Sequence, residues 1–179
     1  MKEEEAVVPA NPMPYEELYQ AHSMRVRQLC RLLLADPHEA EDVAQEVFLK
    51  LFREHQAQDR PIAWGPWLTR VTLNACRDRR RSGWWQRWRR YSAEEFQGTN
   101  LFSRNPTPEE EALSLEARRH IWRSFRELSP RQQEVFVLRH LEGWSIEEVA
   151  ETLGLTPGSV KQHLFRAVHH LRKTLGDRP

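Results

Sequence analysis

Five short stretches of this chain read as places where a helix must begin: DPHE at 36–39, TPEE at 107–110, SPRQ at 129–132, SIEE at 145–148 and TPGS at 156–159. A Ser, Thr or Asp side chain there accepts from the unpaired N–H groups of a first helical turn. A Glu or Gln three residues on can reach back to the cap's own N–H. Proline suits the first helical position because its missing N–H has no partner to lose. Asp36, Pro37 and Glu39 supply all three devices. Apolar residues follow each start at helical spacing, and no stretch alternates as a strand would. The predicted fold class is therefore all-α. Helices are expected over about 14–34, 36–55, 66–82, 107–127, 129–141, 145–153 and 156–175, with Gly83 as a stop for the third.

The expected inward faces are Leu18, Val26, Leu29 and Leu33 in the first helix, and Trp67, Leu68, Val71 and Ala75 in the third. Hydrophobic residues make up 39% of the 179 residues and charged ones 30%. That is too polar for one large core and suits two small helical domains joined by a linker. The boundaries read as a disordered, acidic and proline-rich tail over 1–13, a first domain over 14–83, a linker over 84–106 and a second domain over 107–176. The tail lacks the basic flank and apolar run of a secretion signal. No run is long enough to span a membrane. Cys30 and Cys76 stand outside any CxxC or Cys/His ligand spacing, so they read as buried or half-buried free thiols in a reducing cytoplasm.

The second helix poses a question. On its wheel Ala40, Val43, Ala44, Val47, Phe48 and Leu51 make one apolar stripe, yet Leu49 falls nearly opposite, among Asp42, Gln45 and Glu46. A scattered surface leucine is ordinary. One apolar anchor ringed by polar groups is also the make-up of a small protein interface.

Net charge is only +1, but its distribution is uneven. Arg70–Arg90 holds eight arginines against one acid, Tyr91–Ala117 holds six glutamates against one arginine, and Pro157–Leu175 holds four basic residues, three histidines and no acid. An eight-residue helix, the turn Gly154-Leu155-Thr156 and the longer helix of that last segment make the spacing of a helix-turn-helix. Ser159, Lys161, Gln162, His163 and Arg166 are then expected to face outward, where Lys, Arg and Gln can read base edges in a major groove. An ordinary helical hairpin shares the spacing; the acid-free face favours DNA. Clustered carboxylates and histidines for a metal, and a glycine-rich phosphate loop, are both missing. No catalytic residue, metal, cofactor or small-molecule substrate is expected. An enzyme acting on nucleic acid is accordingly disfavoured.

Three segments carry a family likeness. DPHEAEDVAQEVFLKLF, WLTRVTLNACRDRRR and LSPRQQEVFVLRHLEGWSIEEVAETLGLTPGSVKQHLFRAVHHL resemble regions 2 and 4 of bacterial sigma factors. The chain resembles the extracytoplasmic-function (ECF) group, which has only those two regions. The resemblance implies docking of the second helix on the β′ clamp helices of core RNA polymerase through Asp42, Gln45, Glu46 and Leu49, with a further contact to the β flap. It implies that the third helix and the loop before it melt and read the −10 promoter element. Asn74 would stand at a base pocket, with Gln56, Gln58 and Asp59 on its rim, and Arg77, Arg79, Arg80 and Arg81 would hold phosphates. The 55–63 loop departs from some relatives in having no aromatic to stack on a base. The helix-turn-helix would read the −35 element, and an anti-sigma factor would be a further partner. The other reading is a free-standing regulator that binds DNA without polymerase. Trp84, Trp85 and Trp88, interleaved with Arg87, Arg89 and Arg90, match no motif of the family. They extend the DNA surface, or pack between the two domains or against a regulator. Packing is favoured because three tryptophans in water would form an exposed apolar patch.

Overall fold

The structure, a computed structural model, describes residues 13–34, 36–57, 61–82 and 108–176, with side chains of the last segment from 116 onward. Among them are seven helices and no strand: α1 (Tyr15–Leu33), α2 (Pro37–Gln56), α3 (Trp64–Arg81), α4 (Pro108–Glu127), α5 (Pro130–Phe136), α6 (Ile146–Leu153) and α7 (Pro157–Gly176). A π turn, Val137–Leu141, continues α5. Trp84, Trp85 and Trp88, their neighbouring arginines, Gly83 and the expected linker lie outside the described residues, as does all of the expected tail but Met13.

Helices α1, α2 and α3 pack on one another because each carries one apolar stripe that only the other two can cover. Leu18, Val26, Leu29 and Leu33 of α1 meet Val43, Ala44, Val47 and Leu51 of α2 and Leu68, Leu73 and Ala75 of α3. Trp67 and Val71 were expected inward but are only half-buried; Leu73 takes the inner place, beside buried Thr69 and Thr72. Those two hydroxyls cost little there because each donates to the carbonyl four residues back, Thr72 to Leu68 at 2.7 Å and Thr69 to Gly65 at 3.2 Å. Aromatic pairs close one end of the bundle, Tyr15 edge-on to Phe52 at 5.3 Å and Tyr19 to Phe48 at 4.8 Å. Both cysteines are free and buried. A hydrogen bond with the Cys30 thiol, together with burial, raises the Cys76 thiol well above its ordinary value, so it stays protonated and inert.

Asp36 caps α2 as expected, accepting from the Glu39 N–H at 2.8 Å. Glu39 does not reach back to complete a capping box, because its carboxylate is held by Arg79. Helix α3 starts two residues before the expected Pro66.

In the second group Ser129 with Gln132, and Ser145 with Glu148, form complete capping boxes at the starts of α5 and α6. The bond from the Ser145 N–H holds the Glu148 carboxyl below the usual carboxylate range. Val149, Ala150 and Leu153 of α6 pack against Val160, Ala167 and Leu171 of α7 and Val135 and Leu138 below them. The angle between α6 and α7 is set at Gly154, whose φ is +63°. Its left-handed backbone lets the Leu155 N–H turn back to the Ala150 carbonyl at 2.9 Å, satisfying a carbonyl at the helix end. Gly154→Val puts a β-branched side chain at positive φ and is expected to cost about 1–3 kcal/mol. Thermal unfolding followed by circular dichroism should show the lower midpoint; an unchanged midpoint would contradict the turn geometry.

Candidate nucleic-acid interface

The stripe that builds the α2 core leaves the opposite side of the helix outward, and that side answers the question posed by Leu49. Asp42, Gln45, Glu46 and Leu49 are all exposed, Leu49 at 57% of its surface, and they follow one another along a single face. Phe52 extends the face by one turn and is 45% exposed. Glu46 is held by Arg79 of α3 at 2.6 Å, so the rim of this patch is partly pre-ordered.

Helix α3 presents Asn74 to solvent, next to the buried pair Leu73 and Ala75. Gln56 is exposed at the last position of α2, while Gln58 and Asp59 lie outside the described residues. Trp64, the first residue of α3, stands edge-on to Trp67 at 5.6 Å and 6.2 Å from His55. The aromatic missing from the loop is thus present at its exit.

The arginines of α3 are less alike than their sequence suggests. Arg81 is exposed. Arg79 is engaged by Glu39 and Glu46 within the first helical group. Arg80 donates to the Leu33 carbonyl, where the open end of α1 offers unpaired acceptors and a partial negative charge. It also donates to Gln133 of the second group at 2.8 Å. Arg77 grips Glu134 of α5 with both arms, Nε and Nη2 each 3.0 Å from a carboxylate oxygen. Arg25 of α1, its guanidinium pKa lowered by burial, bonds Glu142 and the Thr69 hydroxyl. Arg126 of α4 reaches the Leu32 carbonyl at 3.3 Å. Arg25, Arg77, Arg80 and Arg126 therefore join the two groups across their seam.

On α7, Lys161, Gln162 and Arg166 are exposed as expected. Ser159 is half-buried and tied to the helix start, its N–H on Thr156 Oγ1 at 3.2 Å and its hydroxyl 2.9 Å from the same oxygen. His163 is also half-buried, with its Nδ1 shielded from solvent, so it does not face outward. It falls on the flank of the stripe made by Val160, Leu164 and Ala167. The outward place is taken by Phe165, which the sequence reading missed. It is 72% exposed and stacks on His169 at 6.1 Å. Its signal was available: Phe165 shares a face with Lys161, Gln162 and His169, three and four residues away, and none of these is a core residue. The outer face of α7 thus offers cations, an amide and a ring, with no carboxylate among them. No described helix is long and apolar enough to cross a membrane.

The sequence matches the family description Sigma-70 region 2 over residues 18–94 and Sigma-70, region 4 over residues 118–171. It is 29% identical to RNA polymerase sigma factor CarQ of Myxococcus xanthus, over 91% of this chain and 90% of that one. It is 31% identical to the RNA polymerase sigma-E factor of Streptomyces coelicolor, over 91% of this chain and 86% of that one. The fold is similar to that of the sigma factor RpoE of Bartonella quintana, solved in complex with the anti-sigma factor NepR, with a TM-score of 0.66 and 21% identity over 92% of this chain and 98% of that one.

Proposed function

The chain belongs to the extracytoplasmic-function group of RNA polymerase sigma factors, and we propose how its two helical groups divide the work. The first group docks on core RNA polymerase through the α2 face of Asp42, Gln45, Glu46 and Leu49. The partner surface is the β′ clamp helices. Its α3 side engages the −10 element, with Asn74 at a flipped base, Gln56 on the rim beside the 58–59 loop, and arginines on the strand phosphates. The second group, with a contact to the β flap, reads the −35 element through Lys161, Gln162, Phe165 and Arg166. Phe165 is suited to thymine methyl groups and the cations to guanine and phosphate. Ser159 and the α7 start lie where helix N–H groups can meet a phosphate, and His163 supports the face from its flank.

The chain performs no catalysis itself; bond formation belongs to the polymerase. It acts in the cytoplasm, and its activity is held in check by an anti-sigma factor, as its fold neighbour was captured with one. The observation that carries this reading is the order of parts on one chain: an α2 face with a single exposed leucine, then a helix-turn-helix whose second helix, α7, carries no acid, within segments matching regions 2 and 4.

In vitro transcription with core polymerase on a promoter library tests it. Transcripts should need both the chain and the core enzyme, and should start downstream of one shared pair of −35 and −10 sequences. Gln162→Ala is expected to relax preference at one −35 position by about 1–3 kcal/mol, and Asn74→Ala to relax preference at one −10 position. Tight, selective duplex binding by the chain alone, without affinity for core polymerase, would establish a free-standing regulator instead.

A further inference from the structure

Arg79 stands apart from the other α3 arginines. One arm of its guanidinium donates to Glu39 at 2.5 Å and the other to Glu46 at 2.6 Å, both on α2. The Arg79 side chain is 24% exposed and that of Glu39 13%, so this pair is shielded from water. The Glu46 side chain, 51% exposed, reaches the same cation from the outer edge. Burial lowers the Arg79 pKa, but the charges and hydrogen bonds of the two glutamates outweigh it and leave it raised. One cation set between two carboxylates leaves the spot net negative, which repels a phosphate. Asp42 and Glu46 stand three and seven residues beyond Glu39, so the three acids follow one edge of α2. Like charges at this spacing push one another apart, and Arg79 draws two of them to fixed places.

We propose that Arg79 is a positioning residue for polymerase docking and not a phosphate contact. The proposal rests on the assignment of the α2 face of Asp42, Gln45, Glu46 and Leu49 to core RNA polymerase. Arg79 holds Glu46 by Oε1, from the α3 side. A carboxylate has acceptor sites beyond the one that Arg79 fills, and these are left for a donor of the partner. A glutamate that nothing holds enters an interface from many rotamers and loses that freedom on binding. Arg79 removes part of this cost before the partner arrives. Its other arm is anchored on Glu39 in the first turn of α2, where Asp36 already fixes the backbone. Helix α3 thus splints a docking face that belongs to its neighbour. Without Arg79 the fold loses little, because a released Glu39 can close the capping box at Asp36. The arginine run of α3 divides accordingly: exposed Arg81 serves the strand, and Arg79 serves the polymerase side.

Fluorescence anisotropy of the full-length chain, dye-labelled at its amino terminus and titrated with core RNA polymerase, tests this. Arg79→Gln is expected to weaken binding roughly three- to tenfold, the scale of one side chain left to be ordered, with helical content unchanged. Arg79→Met, which keeps the apolar stem, should repeat the loss and guards against a packing defect peculiar to glutamine. Glu46→Ala should also weaken binding. Adding Arg79→Gln to it should then cost nothing further, because the positioning acts through Glu46. In the promoter-library transcription assay, Arg79→Gln should raise the chain concentration that gives half-maximal yield by the same factor, and reach the same plateau. Parental affinity in both Arg79 variants overturns the proposal, as do additive losses in the double variant. A plateau that falls at saturating chain also overturns it and returns Arg79 to the DNA strand. Undiminished binding by Leu49→Arg would instead remove the docking face itself. Loss of binding there, with parental binding by Arg79→Gln, removes only the role given to Arg79.

Discussion

Leu49→Arg is expected to abolish binding to core RNA polymerase while leaving helical content and thermal midpoint as they were. The side chain is 57% exposed and opposite the α2 core stripe, so a long cation there costs the fold little. At an interface the same change removes the one central apolar anchor and forces a charge into a desolvated site. Central anchors of this kind are worth about 2–4 kcal/mol, or roughly 30-fold to 1,000-fold in affinity. Pull-down with core enzyme and circular dichroism on the same preparation give both halves of the result. Undiminished binding would mean that α2 docks nothing.

Val47→Asp, two residues away, should do the reverse. Val47 is fully buried between α1, α2 and α3. An aspartate there meets Val43, Leu51 and their neighbours and has no cation to pair with. The cost is about 3–5 kcal/mol, a large part of the stability of a small domain. The first helical group should lose cooperative unfolding and polymerase binding together. A variant that melts normally would show that the α2 stripe is not the core. Side by side, these two substitutions separate the face that folds the chain from the face that works for it.

The contrast also shows what could be read before any coordinates. Leu49 was legible because a helix wheel needs only local geometry, and the caps at Asp36, Ser129 and Ser145 were legible for the same reason. Glu39 was misassigned because its competitor, Arg79, is remote in sequence and adjacent only after α3 has packed on α2. The arginine run was legible as charge, but its partners were not. Glu134 and Glu142 belong to another helical group, and nothing local foretells that they would be drawn in. His163 and Phe165 exchanged places because the face of α7 was drawn too narrowly around the apolar stripe. Gln58 and Asp59 remain assignments from resemblance alone.

The wide turn after α5 has a consequence for how this family member can vary. At Val137–Leu141 the Glu142 N–H reaches the Val137 carbonyl, five residues back, at 3.0 Å, and the Trp144 N–H reaches Leu138. Ordinary winding bonds four residues back, so this turn carries one residue more than it needs. Loss of a single amino acid there would restore regular winding at little local cost, yet rotate everything downstream by about 100°. Glu142 would swing off Arg25, and α6 and α7 would lose their packing on Val135 and Leu138. Length at this point is therefore fixed by the core that the extra residue lets close.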